Sequence, residues 1–329
     1  MIAAMVLAAG RGERMRPLTE SVAKPALPLL GLPIATRILL QLRGLGVERF
    51  ALNAWHAPDS LRAAIARAGL GPGGAELFVE AELMGTAGGL DAPRGLLGGA
   101  DVFVLHNGDT LLPGLDLEPL LQAARGPGRA GALLVGRPPL PGYNAVAVGG
   151  GEWLGLASER PDAAPATYLG VGVLRREVLE RVPRGRPSEL FRDVLLPLLA
   201  QGSRIAAVEH AGAWIEFTSA QAYRRHLVSL VLSGRAAGSL DLPGGAAHVR
   251  RRGGGAYFAA DAELSAGVLV EGGAVLEAGA SAARGSLLFG SVLLEGASVA
   301  SRALLQGVVV ARGARVPAGA ALRDEVVAP

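Results

Sequence analysis

The residues best suited to chemistry open the chain, in the stretch Leu7-Ala8-Ala9-Gly10-Arg11-Gly12-Glu13-Arg14-Met15-Arg16. Glycines directly after an apolar run let backbone N–H groups approach phosphate oxygens without a Cβ in the way. Gly10-x-Gly12 alone is a weak signal, because many strand-to-helix turns hold two glycines. It is not a dinucleotide fingerprint, since Met15 occupies the third glycine position, and no Gly-Lys-Ser/Thr marks a Walker loop. The cations that follow add weight. Arg14 carries a planar fork able to bridge two phosphate oxygens, whereas an ammonium is a compact point charge. Lys24, before Pro25, is the single lysine among 32 basic residues. A lysine kept in so arginine-biased a chain suggests a site for the compact cation; chance survival is the alternative. A carboxylate lies further on. Asn107-Gly108-Asp109 follows the apolar run Val102–His106, so Asp109 sits just beyond a strand's carboxyl end, where open α/β sheets bind ligands. It is a hard-oxygen donor of the kind Mg²⁺ takes, or simply a turn aspartate.

These groups need a scaffold, and the hydrophobic pattern describes one. Ile2–Ala8 reads as a fully buried strand. A helix follows from Pro33, with Ile34, Ile38, Leu42 and Leu45 on one face. Strands are expected at Arg49–Asn53, Leu77–Glu80, Val102–His106, Ala130–Gly136, Ala145–Val148 and Tyr168–Leu174. Helices are expected over Pro58–Ala68, Gly88–Leu97, Ser188–Ala200 and Ala220–Ser233. Such alternation is that of a parallel-sheet α/β domain. From 234 to 256 the chain is glycine-rich and holds Arg250-Arg251-Arg252, a linker with a solvated charge run. A six-residue repeat then begins. Leu264, Val270, Leu276, Leu288 and Leu294 keep one register, with Ala282 in the intervening slot; Val310, Val316 and Leu322 resume it after a phase shift. Ala274, Ala280, Ser298, Ala314 and Ala320 keep a second position small. That period suits a parallel β-helix, one hexad per flat side. The expected organisation is a domain over 1–235, a linker over 236–258 and a repeat domain over 259–329.

Composition closes several doors. Half the chain is hydrophobic, which excludes disorder, and the absence of cysteine excludes a thiol nucleophile or a disulfide framework. Net charge is only +3, with no basic stripe interleaved with aromatics, so nucleic acid is not the expected partner. No stretch approaches the ~18 apolar residues of a membrane span, and Met1–Ala9 reads as a strand rather than a signal core. No membrane association and a cytoplasmic location are expected.

Leu7 through Pro33, including Lys24-Pro25-Ala26-Leu27-Pro28-Leu29 and Gly31-Leu32-Pro33, resembles the signature of the sugar-1-phosphate nucleotidyltransferases. The resemblance continues through Asn53, Gly85-Thr86-Ala87-Gly88-Gly89, Asn107-Gly108-Asp109, Glu159-Arg160-Pro161 and Trp214-Ile215-Glu216. With the hexad tail, it is nearest to the mannose-1-phosphate guanylyltransferase branch. It implies an α/β fold, a Rossmann-like mixed sheet followed by a left-handed parallel β-helix. It also implies transfer of a nucleotidyl group from an NTP, GTP favoured, to a sugar 1-phosphate, with release of pyrophosphate. Arg14, Lys24 and Asp109 become the catalytic candidates. Leu7, Ala9, Gly10, Gly12, Gly85, Thr86 and Gly108 become the nucleotide candidates, and Glu159 and Arg160 the sugar-phosphate candidates. Asp109 and Glu216 would hold Mg²⁺, and the β-helix would carry a homo-oligomer contact.

The chain departs from the family pattern at four places. Glu216 stands for an aspartate and is longer by one C–C bond, about 1.5 Å. Thr218 stands for a glycine, Arg160 for a lysine, and Tyr168-Leu169-Gly170 for an asparagine-containing segment. Glu216, Thr218 and Tyr168 motivate a second reading, a regulatory or partner paralogue that binds nucleotide sugar without making it. A third, an acyltransferase tail, lacks its base, because none of His56, His106, His210, His226 and His248 lies within the repeats.

Overall fold

The computed structural model describes residues 1–233 and 255–329. They form two compact units, one of Met1–Arg11 with Gln41–Trp214, the other of Gly12–Leu40 with Ile215–Pro329. The linker expected at 236–258, with its three arginines, lies mostly outside the described residues.

The first unit is built on a nine-stranded sheet. Its strands are β1 (Ala3–Leu7), β2 (Arg49–Ala54), β3 (Ala75–Val79), β4 (Val102–Asn107), β5 (Arg129–Gly136), β6 (Ala145–Gly149), β7 (Glu152–Leu156), β8 (Ala164–Arg175) and β9 (Arg204–Glu209). They run in the order β3-β2-β1-β4-β8-β5-β9-β7-β6. Strands β1 to β4 pair in parallel, while β8 runs antiparallel to both β4 and β5. The sheet is therefore mixed, as the resemblance implied. β1, β2 and β4 read as nearly continuous apolar runs because both faces of the sheet are covered. Met5, Phe103, Leu105, Trp153, Leu195 and Ile205 belong to one buried cluster. Trp153 is 1 % exposed and packs edge-on against Phe191, so it is a core residue.

Two expected helices differ in form. The segment Gly88–Leu97 is not continuous: Gly85–Gly88 and Arg94–Leu97 are single helical turns. Pro93 between them cannot donate into a ladder. Ser188–Ala200 begins at Leu190 with a π-helical turn to Leu195, followed by Leu196–Ala200. Pro197 removes a donor there, and the ladder widens before it.

In the second unit the tail forms three parallel sheets of short strands, which fits the left-handed β-helix implied by the sequence. It begins at Tyr257–Phe258. Leu276, Leu293 and Val310 point inward from one sheet, Ala282, Val299 and Val316 from the second, and Leu288 and Leu305 from the third; all are 2 % exposed or less. The hexad register needs correction. Leu293, not Leu294, aligns with Leu276, and Ala297, not Ser298, aligns with Ala280. One side of each later coil is five residues long, because the chain turns through left-handed backbone at Gly290, Gly307 and Asp324. The outer face of the first sheet (Tyr257, Val275, Val292, Val309) is fully buried, and the helix Ala220–Leu232 packs on its strands.

Candidate functional site

In the first unit, β1, β2 and β4 end together at one edge of the sheet. Leu7 pairs with Asn107, and the Gly108 N–H donates to the Leu7 carbonyl at 2.8 Å. Gly108 and half-buried Asp109 therefore emerge beside Leu7, Ala9 and Gly10. Asn53, at the end of β2, organises this edge. Its side-chain oxygen accepts the N–H groups of Ala8 (2.7 Å) and Ala9 (3.3 Å), and its amide donates to Glu80 Oε1 at 2.7 Å. Glu80 Oε2 in turn accepts the Met84 N–H at 3.1 Å. Asn53 is 3 % exposed, and its bond to the Ala8 N–H is buried away from water.

Glu80 thus anchors the loop that enters Gly85-Thr86-Ala87-Gly88-Gly89. Gly85 has φ +75°, and a Cβ there would stand 2.5 Å from the Ser188 carbonyl oxygen. That carbonyl accepts the N–H groups of Ala87 and Gly88. The glycine is needed for this close packing. Thr86 donates from Oγ1 to Glu189 Oε2 (2.6 Å) and accepts the Leu190 N–H (2.8 Å). Glu80, Ser188 and Glu189 were not singled out from sequence. Each meets its partner at a separation that no local pattern reports.

On the antiparallel side, β8 carries an irregularity between Tyr168 and Gly172 in its pairing with β5. The bulged segment, the departure Tyr168-Leu169-Gly170, passes Asn107 at the end of β4, where a Cβ on Gly170 would stand 2.8 Å from the Asn107 amide nitrogen. Trp214 donates from Nε1 to the Leu169 carbonyl at 3.1 Å and meets Tyr143 edge-on at 5.1 Å. Trp214 is therefore tied to this bulge. Bulges of this kind re-aim side chains beside active sites. Glu159 and Arg160 precede β8, Glu159 exposed. Arg160 pairs with Asp162 (3.2 Å), which raises the guanidinium pKa further and lowers that of the carboxyl.

His106, on β4, is completely buried. Its Nδ1 donates to the Asn107 carbonyl at 2.7 Å, and burial pushes its pKa down to about 4. The neutral ring belongs to the folded state. Below pH 6.5 the unfolded chain takes up a proton that the fold refuses until about pH 4, so stability is present above 6.5 and falls as pH drops toward 4. The loss amounts to about 3 kcal/mol. Urea unfolding of His106→Gln across this range is expected to lack that acid slope; an unchanged slope would assign it elsewhere.

The second unit holds the remaining candidates. Gly12 is left-handed (φ 63°), and its carbonyl accepts Thr19 Oγ1 at 2.8 Å and the Met15 N–H at 2.8 Å. The turn Glu13–Met15 buries Met15 and leaves Arg14 exposed. Lys24 is half-buried at the head of the turn Lys24–Ala26, with Pro25 in its second position, where no N–H is needed. Glu216 closes the short strand Ile215–Glu216, and its backbone carbonyl accepts from His226, whose pKa burial lowers. Phe217, fully buried, meets the His226 ring at 5.7 Å. No helix among the described residues is long and apolar enough to cross a membrane.

Comparison with known proteins places this geometry. Residues 3–228 match the nucleotidyl transferase family. Mannose-1-phosphate guanylyltransferase of Mycobacterium tuberculosis is 31% identical over 303 residues, 88% of this chain and 78% of that protein. N-acetylmuramate alpha-1-phosphate uridylyltransferase of Neisseria meningitidis is 34% identical over 226 residues, 65% of this chain and 91% of its own. HddC from Yersinia pseudotuberculosis shares the fold, with a TM-score of 0.57 at 18% identity over 68% of this chain and 97% of that one. The chain belongs to the nucleotidyl transferase family, as an enzyme of its sugar-1-phosphate branch.

Proposed function

We propose that the chain makes GDP-mannose from GTP and mannose 1-phosphate. One observation carries the choice: the match to the mycobacterial guanylyltransferase spans 88% of the chain, whereas that to the Neisseria uridylyltransferase spans 65%. The former must therefore include part of the repeat tail.

In this reading a sugar-phosphate oxygen attacks the α-phosphorus in line and pyrophosphate leaves. Such chemistry asks the protein for positioning and charge neutralisation. Arg14 takes the β- and γ-phosphates, and Lys24 the α-phosphate and the attacking phosphate. Leu7, Ala9, Gly10, Gly12, Gly85, Thr86 and Gly108 frame the nucleotide; Glu159 and Arg160 face the sugar phosphate. Among the described residues no three His, Cys, Asp or Glu side chains gather to hold a metal. Mg²⁺ needs only one or two carboxylates when phosphate oxygens complete its shell. In this reading Asp109 and Glu216 would each offer a carboxylate to an ion that arrives with the nucleotide, where it would neutralise phosphate charge.

Pyrophosphate release, measured across NTPs and sugar 1-phosphates with Mg²⁺, tests the proposal. GTP with mannose 1-phosphate is expected to be the fastest pair. Background release with every pair, alongside calorimetric binding of a nucleotide sugar, would favour the regulatory paralogue that Glu216 and Thr218 motivate. A rate gain in Glu216→Asp would identify the longer carboxylate as limiting.

A further inference from the structure

The β-helix treats its three outer faces differently. One is buried, with the helix Ala220–Leu232 packed on its strands. The second presents Glu263, Ser281, Ser298 and Arg315, a polar face. The third is made by Leu269–Glu271, Leu287–Phe289, Leu304–Gln306 and Ala321–Arg323, stacked in parallel register. Its middle residues Val270, Leu288, Leu305 and Leu322 point inward, so the flanking residues form two outward columns. One column reads Leu269, Leu287, Leu304, Ala321. The other reads Glu271, Phe289, Gln306, Arg323. Leu269 is 59 % exposed, Leu304 49 % and Phe289 44 %. A contiguous apolar patch of this kind marks an interaction surface.

We propose that this face binds a second copy of the chain about a two-fold axis running along its strands. The charges argue for that occupant and that symmetry. Glu271 stands at one end of its column and Arg323 at the other. A rotation about an axis parallel to the strands reverses the order of the coils but keeps each column over its own counterpart. Glu271 then faces Arg323 of the partner subunit, and Arg323 faces Glu271 of the partner subunit. Leu287 meets Leu304 of the partner subunit. Phe289 of the partner subunit arrives opposite Gln306, over a shallow depression walled by Phe289, Leu304 and Arg323. Stacking with the coils in the same order would instead reverse the strands, set Glu271 against Leu269 of the partner subunit and keep it away from any arginine of this face. An isologous contact closes after two copies.

The face spans only four strands, roughly 20 Å along the helix axis. That is small beside a standard interface, and a concentration-dependent dimer is expected rather than a permanent one. The proposal names the surface for the oligomer expected from the repeat tail, and it stands independently of the substrate.

Sedimentation velocity on the full chain from roughly 1 to 100 μM covers the range of such an equilibrium. The wild-type chain is expected to pass from monomer to dimer. Leu304→Arg should weaken dimerisation at least tenfold, with an unchanged circular dichroism spectrum because the residue is exposed. Glu271→Arg and Arg323→Glu should each weaken it, and the double charge swap should restore it. A monomer at every concentration, a trimer, or an undisturbed dimer in Leu304→Arg would overturn the proposal. A double swap as weak as either single change would overturn the two-fold register.

Discussion

Lys24→Ala is expected to lower kcat/KM for nucleotidyl transfer by roughly 10²–10³, which corresponds to about 3–4 kcal/mol of lost transition-state stabilisation. The charge that develops in this reaction is spread over phosphate oxygens, and a compact ammonium placed among them acts without any proton transfer. Lys24 heads a turn fixed by backbone hydrogen bonds, Ala26 N–H to the Ala23 carbonyl at 2.8 Å and Leu27 N–H to the Lys24 carbonyl at 3.2 Å. Truncation of the side chain leaves that backbone intact, so an unchanged melting curve separates lost chemistry from lost fold. Lys24→Arg tests the geometry. A guanidinium keeps the charge but presents a wide planar fork, and it is expected to recover only a small part of the rate. Near-wild-type turnover in the alanine variant would remove Lys24 from the reaction, and full activity in the arginine variant would show that charge alone suffices.

How far the chain's sequence discloses its structure depends on how local the cause is. β1, β2 and β4 were legible because burial on both faces leaves an uninterrupted apolar run. The β-helix was legible because each flat side must turn an aliphatic residue inward. Its phase was not. Leu294 looks in register by counting sixes, but the left-handed turns at Gly290 and Gly307 shorten one side to five residues and put Leu293 inside. The glycines of Gly85–Gly89 were visible as a loop; that Gly85 also makes room for the Ser188 carbonyl depends on a contact a hundred residues away in sequence. The candidate site divides the same way. Its motifs stood out by composition, whereas Asn53 with Glu80, which fixes the backbone of Ala8 and Ala9, joins residues that no periodicity connects. Glu277 is the extreme case. It falls at a hexad corner and looks like one more solvated charge, yet it is 1 % exposed.

Glu277→Ala is expected to destabilise the second unit by about 1–3 kcal/mol, the cost of leaving the buried Gly31 N–H without its acceptor. The reason lies in the hairpin Pro28–Leu29 and Leu32–Pro33, which follows Lys24. Its tip passes through left-handed backbone at Leu30 (φ 51°) and Gly31 (φ 86°), and a Cβ on Gly31 would stand 2.5 Å from the Tyr257 hydroxyl. Three buried groups hold this tip. Arg37 donates to the carbonyls of Leu29 (2.8 Å) and Leu30 (2.7 Å), Tyr223 donates to the Pro28 carbonyl, and Glu277 Oε2 accepts the Gly31 N–H at 2.9 Å. Burial pushes the Glu277 carboxyl up to about 7; the N–H groups of Gly31 and Leu30 and the Arg37 charge pull against it, while Glu295 adds to the rise. Arg37 is itself pushed down to about 10 by burial, against the pull of Glu277 and Tyr257. With the folded pKa raised, the contribution of Glu277 is complete below about pH 4.5 and is lost as pH rises through about 7. This is opposite in sign to His106, so the two slopes offset one another in the wild-type chain and separate only in single variants. Glu277→Gln keeps an acceptor for Gly31 and cannot titrate; its cost should be smaller, and between about pH 4.5 and 6.5 its stability should fall with decreasing pH more steeply than that of the wild type, because the His106 slope is no longer offset. Hydrogen exchange at the Gly31 amide reads the brace directly. Exchange at the wild-type rate in Glu277→Ala would mean that Arg37 and Tyr223 hold the hairpin without it.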